Sequence, residues 1–152
     1  MIGVISDTHG LLRPEAVEAL AGCDRIIHAG DVGSPDVLSR LRDIAPTLAV
    51  KGNVDRGDWA SKLPRTEAVE LEGHTIYVLH ILEELDLQPA PAGISAVVYG
   101  HSHKPSIEHR DGVLYLNPGS AGPRRFKLPV TVAKMSVVNG ELTARILELD
   151  VG

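Results

Sequence analysis

Ala96-Val97-Val98-Tyr99-Gly100-His101-Ser102-His103-Lys104-Pro105 is the stretch from which the fold of this chain can be read. An apolar run of strand type leads straight into a glycine and two histidines one residue apart. If the backbone stays extended through the turn, side chains at i and i+2 point to the same side. Both imidazoles then face one pocket at the carboxyl end of the strand. Neutral imidazole is a ligand for Zn, Mn, Fe or Ni. Two histidines in a solvated loop would look the same, so the motif acquires meaning only if other strands end in the same way.

Working outward, they do. Ile2 to Ser6 is a buried-strand pattern closing in Asp7-Thr8-His9-Gly10, with Asp7 and His9 again at i and i+2. Pro14 opens a helical segment carrying Ala16, Val17, Ala19 and Leu20, with Gly22 past its end. Arg25 to Ala29 reads as a second strand and delivers Gly30-Asp31-Val32-Gly33. Ser34-Pro35 starts a second helix with Val37, Leu38, Leu41 and Ile44 on one face. Thr47 to Val50 is a third strand, ending in Lys51-Gly52-Asn53-Val54-Asp55. Strand–loop–helix units in series imply parallel pairing with right-handed crossovers, and ligands gather at the carboxyl ends of such strands.

After Asn53 the rhythm changes. Glu67 to Leu71 and Thr75 to Leu79 flank Glu72-Gly73-His74 as a hairpin, and the second strand runs into His80. Leu82 to Gln88 is expected to make two turns of helix, stopped by Pro89 and Pro91. Ile107 to His109, Val113 to Leu116, Val130 to Val138 and Leu142 to Leu149 read as strands, joined through the hairpin dipeptides Asp111-Gly112 and Asn139-Gly140. This half is expected to be mostly antiparallel. No repeat or linker separates the halves, so residues 1–152 are expected to form one α/β domain.

Composition narrows the function classes. The chain has 152 residues, 43% hydrophobic and 23% charged, as a soluble globular protein of one core requires. No apolar run reaches the ~18–20 residues of a membrane span. Met1 is followed at once by a strand pattern, so no signal peptide is expected. One cysteine, Cys23, excludes an internal disulfide and fits a reducing cytoplasm. A net charge of −5 argues against a broad nucleic-acid surface but leaves room for a local cationic mouth around a phosphate. A homo-oligomer remains open.

Asp7, His9, Asp31, Asn53, His80, His101 and His103 form the candidate constellation. Two carboxylates, one amide and four imidazoles suit a pair of borderline divalent ions such as Mn, Ni, Zn, Fe or Co. Taken singly, Asp31 could cap a helix and Asn53 could sit in a turn. Their joint placement at successive strand ends is what carries the metal reading. Arranged four per metal with Asp31 bridging, they leave positions for water and a substrate oxygen. Two ions ~3.5–4 Å apart clamp the attacking and leaving oxygens of a phosphoryl displacement. Asp31, Asn53 and His101 are the residues assigned to catalysis as well. His28, inside a strand, is expected in the core or hydrogen-bonded behind the ligands; His74 and His109 are expected to be solvated. Trp59 is expected to pack, and Arg124 and Arg125 to be solvated.

Ser6-Asp7-Thr8-His9, Gly30-Asp31, Gly52-Asn53-x-Asp55, a lone His80 and Gly100-His101-Ser102-His103, in that order, resemble the calcineurin-like metallophosphoesterase superfamily. Asn117-Pro118-Gly119-Ser120 and the hairpin-rich end are similar to its small YfcE-type branch. The resemblance implies a two-sheet β-sandwich flanked by helices in four layers. It implies one metal on Asp7, His9, Asp31 and His103 and a second on Asp31, Asn53, His80 and His101. It places Asn117 to Ser120 near the site. It also implies a small phosphate ester, more readily a diester, as substrate. Two departures stand out. Val54 replaces a histidine of the fuller superfamily motif, removing the obvious proton donor. Ile81-Leu82 follow His80 in a shortened stretch, so the mouth there is expected to be apolar and open. The contrasting readings are a protein-binding scaffold of the same fold, as the retromer subunit is, and a phosphomonoesterase or phosphoprotein phosphatase.

Overall fold

In the computed structural model, which describes residues 1–151, five strands form each of two sheets. In chain order the elements begin β1 (Ile2–Ile5), α1 (Pro14–Leu20), β2 (Arg25–His28), α2 (Pro35–Ile44), β3 (Thr47–Ala49) and α3 (Asp58–Ser61). They continue with β4 (Thr66–Leu71), β5 (His74–Leu79), a 3₁₀ turn (Leu82–Glu84), β6 (Ile94–Val98), β7 (Ser106–Arg110), β8 (Val113–Asn117), β9 (Thr131–Val138) and β10 (Glu141–Glu148). The first sheet runs β10-β9-β1-β2-β3 and the second β4-β5-β6-β8-β7. The two-sheet sandwich flanked by helices expected from the sequence is what the chain forms.

The hydrophobic patterns explain the layers. β1 is buried along its whole length because both of its faces are covered. Ile2 and Val4 point toward the second sheet, where Ile76, Val78, Ala96, Val98, Leu114 and Leu116 meet them. Ile5, with Ile26 of β2, points the other way, onto Ala16 and Leu20 of α1 and Val37, Leu38 and Leu41 of α2. Trp59 packs at the margin of this same cluster, as expected.

One expectation needs correction. Leu82 to Gln88 makes no two-turn helix; the chain turns once, over Leu82–Glu84, and is extended again at Leu85. Leu82, Leu85 and Leu87 are spent on covering the outer face of the second sheet at Val97, Tyr99 and Tyr115, and burial there overrides helix propensity. The second half is mostly antiparallel, as expected, but it carries two parallel pairings that its hairpins do not show. β5 pairs parallel with β6, and β6 parallel with β8. The hairpins themselves form where Asp111-Gly112 and Asn139-Gly140 place them, each pair at positive φ. The β7–β8 hairpin, however, puts β7 at the edge and β8 against β6, which fixes the parallel sense.

β1, β2 and β3 are mutually parallel, and so are β5 and β6. Their carboxyl ends meet along one rim of the sandwich, where all seven candidate side chains are delivered.

Candidate metal centre

The chain does not stay extended as it leaves these strands. Asp7, His9, Asp31, His101 and His103 all lie at positive φ, between 47° and 76°. Asp and His tolerate the left-handed region better than most residues, yet such positions cost of order 1–3 kcal/mol each and cluster where function requires them. The same geometry overturns the i and i+2 alternation expected of His101 and His103. The two imidazoles part company: His103 is buried, and His101 is exposed. Donor atoms of Asp7, His9 and His103 lie within 4.8 Å of one another, and so do those of Asp31, His80 and His101. Asn53, an amide at the end of the β3 loop, joins the second group, its Oδ1 3.2 Å from His101 Nδ1.

The two groups touch. Asp31 Oδ2 lies 3.1 Å from His80 Nε2 and 3.8 Å from His9 Nε2, so this one oxygen faces both. Asp7 Oδ1 lies 3.5 Å from His103 Nε2 and 3.8 Å from His80 Nε2. His9 Nε2 and His103 Nε2 are 3.3 Å apart.

Each carboxylate is divided in its duties. Asp7 Oδ2 accepts from Ser6 Oγ at 2.8 Å and from the His101 N–H at 3.1 Å, while Oδ1 is buried with no hydrogen-bond partner. Asp31 Oδ1 accepts from the Val54 N–H at 3.1 Å, while Oδ2 faces the imidazoles. His80 Nδ1 lies 2.7 Å from the Ala29 carbonyl, which can only accept, so Nδ1 carries the proton. In its neutral form His80 turns an Nε2 lone pair toward two carboxylates, which hold its pKa high and so draw positive charge to that point. Acceptors converging on one point without a donor fit a bound cation, and the mixture of carboxylate and imidazole suits a borderline divalent metal.

Burial pushes Asp7 above the usual carboxylate range, against the pull of His80, the Ser6 hydroxyl and His103. Burial also works against charge on Asp31 and His80. Their mutual attraction outweighs it, so Asp31 is held low and His80 high. His103 is lowered by burial, which leaves it neutral and able to ligate.

Asn117 and Ser120 lie beside the site, as the resemblance implies, and Asp55 of the quoted motif joins them; their role in holding the ligand loops is what the sequence did not show. Asp55 is buried, and its carboxylate accepts from the N–H groups of Gly52, Val32 and Gly33 at 2.9, 3.2 and 3.0 Å, tying the Asn53 loop to the Asp31 loop. Asn117 Nδ2 donates to the Gly100 carbonyl at 3.2 Å and to Ser102 Oγ at 3.1 Å, steadying the His101–His103 turn. Ser120 Oγ donates to the Asp7 carbonyl at 3.1 Å. These polar residues follow strand patterns or sit in turns, and only their burial marks them. Two glycines are dictated by proximity: a Cβ on Gly100 would come within 2.7 Å of Asp7 Oδ2, and one on Gly52 would overlap Asp31.

His28 sits behind the ligands as expected. It accepts from the Gly30 N–H at Nδ1 and donates from Nε2 to Thr8 Oγ1, 3.0 Å away, while that hydroxyl donates on to the Val32 carbonyl. Burial pushes it down to about 3, so it is neutral. His109 is exposed, as expected, but His74 is not free in solvent. Its Nδ1 meets Ser95 Oγ and its Nε2 the Gly140 carbonyl, both at 2.8 Å, because the β9–β10 hairpin reaches over the start of β5. Arg124 and Arg125 are exposed and line a groove beside His9 and His103.

The mouth on the His80 side is not apolar. Ile81 is joined there by Lys51, Arg56, Arg65 and Glu84 around a pocket of about 420 Å³. The apolar expectation fails because Leu82 turns away onto the outer sheet face, leaving charged side chains of the loops around β3 and before β4 to line the opening.

A two-sheet sandwich with carboxylates and imidazoles at parallel strand ends defines a metal-dependent phosphoesterase fold, and the relatives agree. Residues 1–140 match the family model for the calcineurin-like phosphoesterase superfamily domain. This chain belongs to that superfamily. It is 34% identical to a probable metallophosphoesterase of Methanothermobacter thermautotrophicus over an alignment 159 positions long, covering 97% of this chain and 91% of the relative. Among solved structures it resembles an archaeal phosphodiesterase with a TM-score of 0.79 at 25% identity, covering 96% of this chain and 99% of the other. Vps29 of Chaetomium thermophilum has the same fold, with a TM-score of 0.83 at 19% identity over 99% of this chain and 91% of its own.

Proposed function

We propose that this chain is a phosphodiesterase that works with two divalent ions. Asp7, His9, Asp31 and His103 would hold one, and Asp31, Asn53, His80 and His101 the other. The observation that carries the reading is the pair of divided carboxylates, each with one oxygen bound by protein donors and the other facing imidazoles, Asp7 Oδ1 being buried with no partner at all. A protein-binding scaffold has no use for such unsatisfied buried acceptors, which are costly to keep. Ions bound there would supply positive charge at the phosphoryl oxygens and lower the pKa of a water.

The chain's own residues do the positioning. Asp55 and Asn117 hold the Asn53 and His101 loops in place, so that His101 and Asn53 face the substrate from the exposed side of the group. Val54 is 43% exposed at the same rim, and its side chain can neither donate a proton nor hydrogen-bond an ester. A positioned general acid is worth typically ~10²–10⁴ in rate, and Val54 supplies none to the leaving alkoxide. Activated aryl esters are therefore favoured. A diester is favoured over a monoester because it brings one negative charge rather than nearly two to a site that must neutralise it.

Chelation should abolish hydrolysis of an aryl phosphodiester, and added Mn, Ni, Co or Zn should restore it, but not in His101→Ala or His103→Ala. Rates over a series of leaving groups should fall steeply as leaving-group pKa rises, and Val54→His should flatten the slope. No hydrolysis of any activated ester after metal loading would return the scaffold reading. A flat dependence in the wild type would mean that another acid is present and would remove the leaving-group argument built on Val54.

A further inference from the structure

The pocket beside His80 has a feature that hydrolysis of a simple diester does not use. Lys51, Arg56 and Arg65 line it together, and among the described residues none of the three forms an ion pair. They come from separate places: Lys51 follows β3, Arg56 ends the Asn53 loop, and Arg65 precedes β4. The fold, rather than a local run of charge, gathers them. The chain as a whole carries a formal charge of −5, so three unpaired cations around one concavity run against its general character. Arg56 and Arg65 are exposed and Lys51 is half-buried, so all three are free to meet an anion that enters the concavity.

The pocket is continuous with the metal centre, because Asn53 and His80 line it as well. Its volume of about 420 Å³ lies within the ~300–1,000 Å³ of small-molecule sites and exceeds the needs of one phosphoryl group already seated at the ligands. Glu84 at the margin is the one carboxylate on the opening other than Asp55, and Asp55 is occupied by three backbone N–H groups.

We propose that this pocket is a second anion subsite, and that the substrate is a phosphate ester bearing a further phosphoryl group a few bonds from the one cleaved. The inference rests on the phosphoesterase reading and narrows it from phosphate esters in general to doubly phosphorylated ones. Arg56 and Arg65 receive the distal phosphate through their planar guanidinium donors, and Lys51 adds a point charge. Glu84 disfavours excess negative charge at the outer edge.

The test compares ligands that differ only in the second phosphate. Calorimetry on the manganese-loaded full chain should show a nucleoside 3′,5′-bisphosphate binding about tenfold or more tighter than either matching monophosphate. In Arg56→Gln/Arg65→Gln that preference should shrink to about twofold or less, and in Glu84→Gln it should grow. In parallel, the p-nitrophenyl diester of a nucleoside 5′-phosphate is compared with the same compound carrying a 3′-phosphate. The double variant should raise KM for the second compound several-fold more than for the first. Equal losses for both compounds would show general steering of anions and overturn the subsite. So would a wild type without bisphosphate preference while the simple diester is hydrolysed, and in that case the phosphoesterase reading survives. Absence of hydrolysis with the binding preference intact would sink the hydrolytic reading and support the subsite.

Discussion

His28 shows how one residue's surroundings set its chemistry. It is fully buried, its two nitrogens are committed to Gly30 and Thr8, and His80, Asp31 and His9 are its charged or titratable neighbours. Its pKa falls from 6.5 to about 3 on folding. Between those values the unfolded chain binds a proton that the native chain refuses, so stability drops as pH falls through that window. Above the upper value His28 contributes no slope. One proton corresponds to about 1.4 kcal/mol per pH unit. Urea unfolding of the metal-depleted protein at several pH values from neutral downward should show this slope reduced by about one proton in His28→Gln, which retains a donor and an acceptor but cannot charge. Parallel slopes in the two proteins would show that His28 is not the group responsible.

At the level of the element, the turn after β6 depends on a strand end it does not contain. Asn117, the last residue of β8, is fully buried; it donates to Gly100 and Ser102 and accepts from the Gly119 N–H at 2.9 Å. Removing such a partner behind a ligand typically weakens metal binding ~10–100-fold. Asn117→Ala should show a loss of that size in a metal titration, together with about 1–3 kcal/mol of stability from buried backbone groups left unpaired. Asn117→Asp keeps the acceptor toward Gly119 and loses both donors, so it should weaken metal binding nearly as much. An unchanged metal affinity in both variants would confine Asn117 to the local turn. In the segment after His80, burial against the second sheet overrode local preference; in the β7–β8 hairpin the local turn formed and the sheet decided only which strand β8 pairs with.

For the molecule as a whole, the consequence is that the centre joins the two sheets. Asp7, His9, Asp31 and Asn53 leave strands of the first sheet, and His80, His101 and His103 leave strands of the second. A ligand bound to the native state alone stabilises it, by about 2.7 kcal/mol at a concentration of 100 Kd. Manganese or zinc should accordingly raise the unfolding temperature by several degrees, and a chelator should reverse the rise. Asp31→Asn should fold yet lose most of the response, since Asp31 Oδ2 faces both groups. A rise of equal size in Asp31→Asn would place the bound ions elsewhere.

The strand–loop–helix order of the first half, the three hairpin turns and the seven candidate side chains were legible in the chain, because each rests on neighbours within a few residues: an apolar run, a glycine, a polar ligand. What the tertiary structure decided was everything that depends on distant segments meeting. His101 and His103 separate into different groups because the backbone after Gly100 turns through positive φ instead of staying extended. Asp55 and Asn117 became visible as supports only once burial showed which backbone groups they satisfy. Lys51, Arg56 and Arg65 are unremarkable in a chain of fifteen basic residues until the loops around β3 and before β4 bring them to one pocket. Local periodicity reports which face of an element is buried, but long-range packing alone decides which side chains share a space.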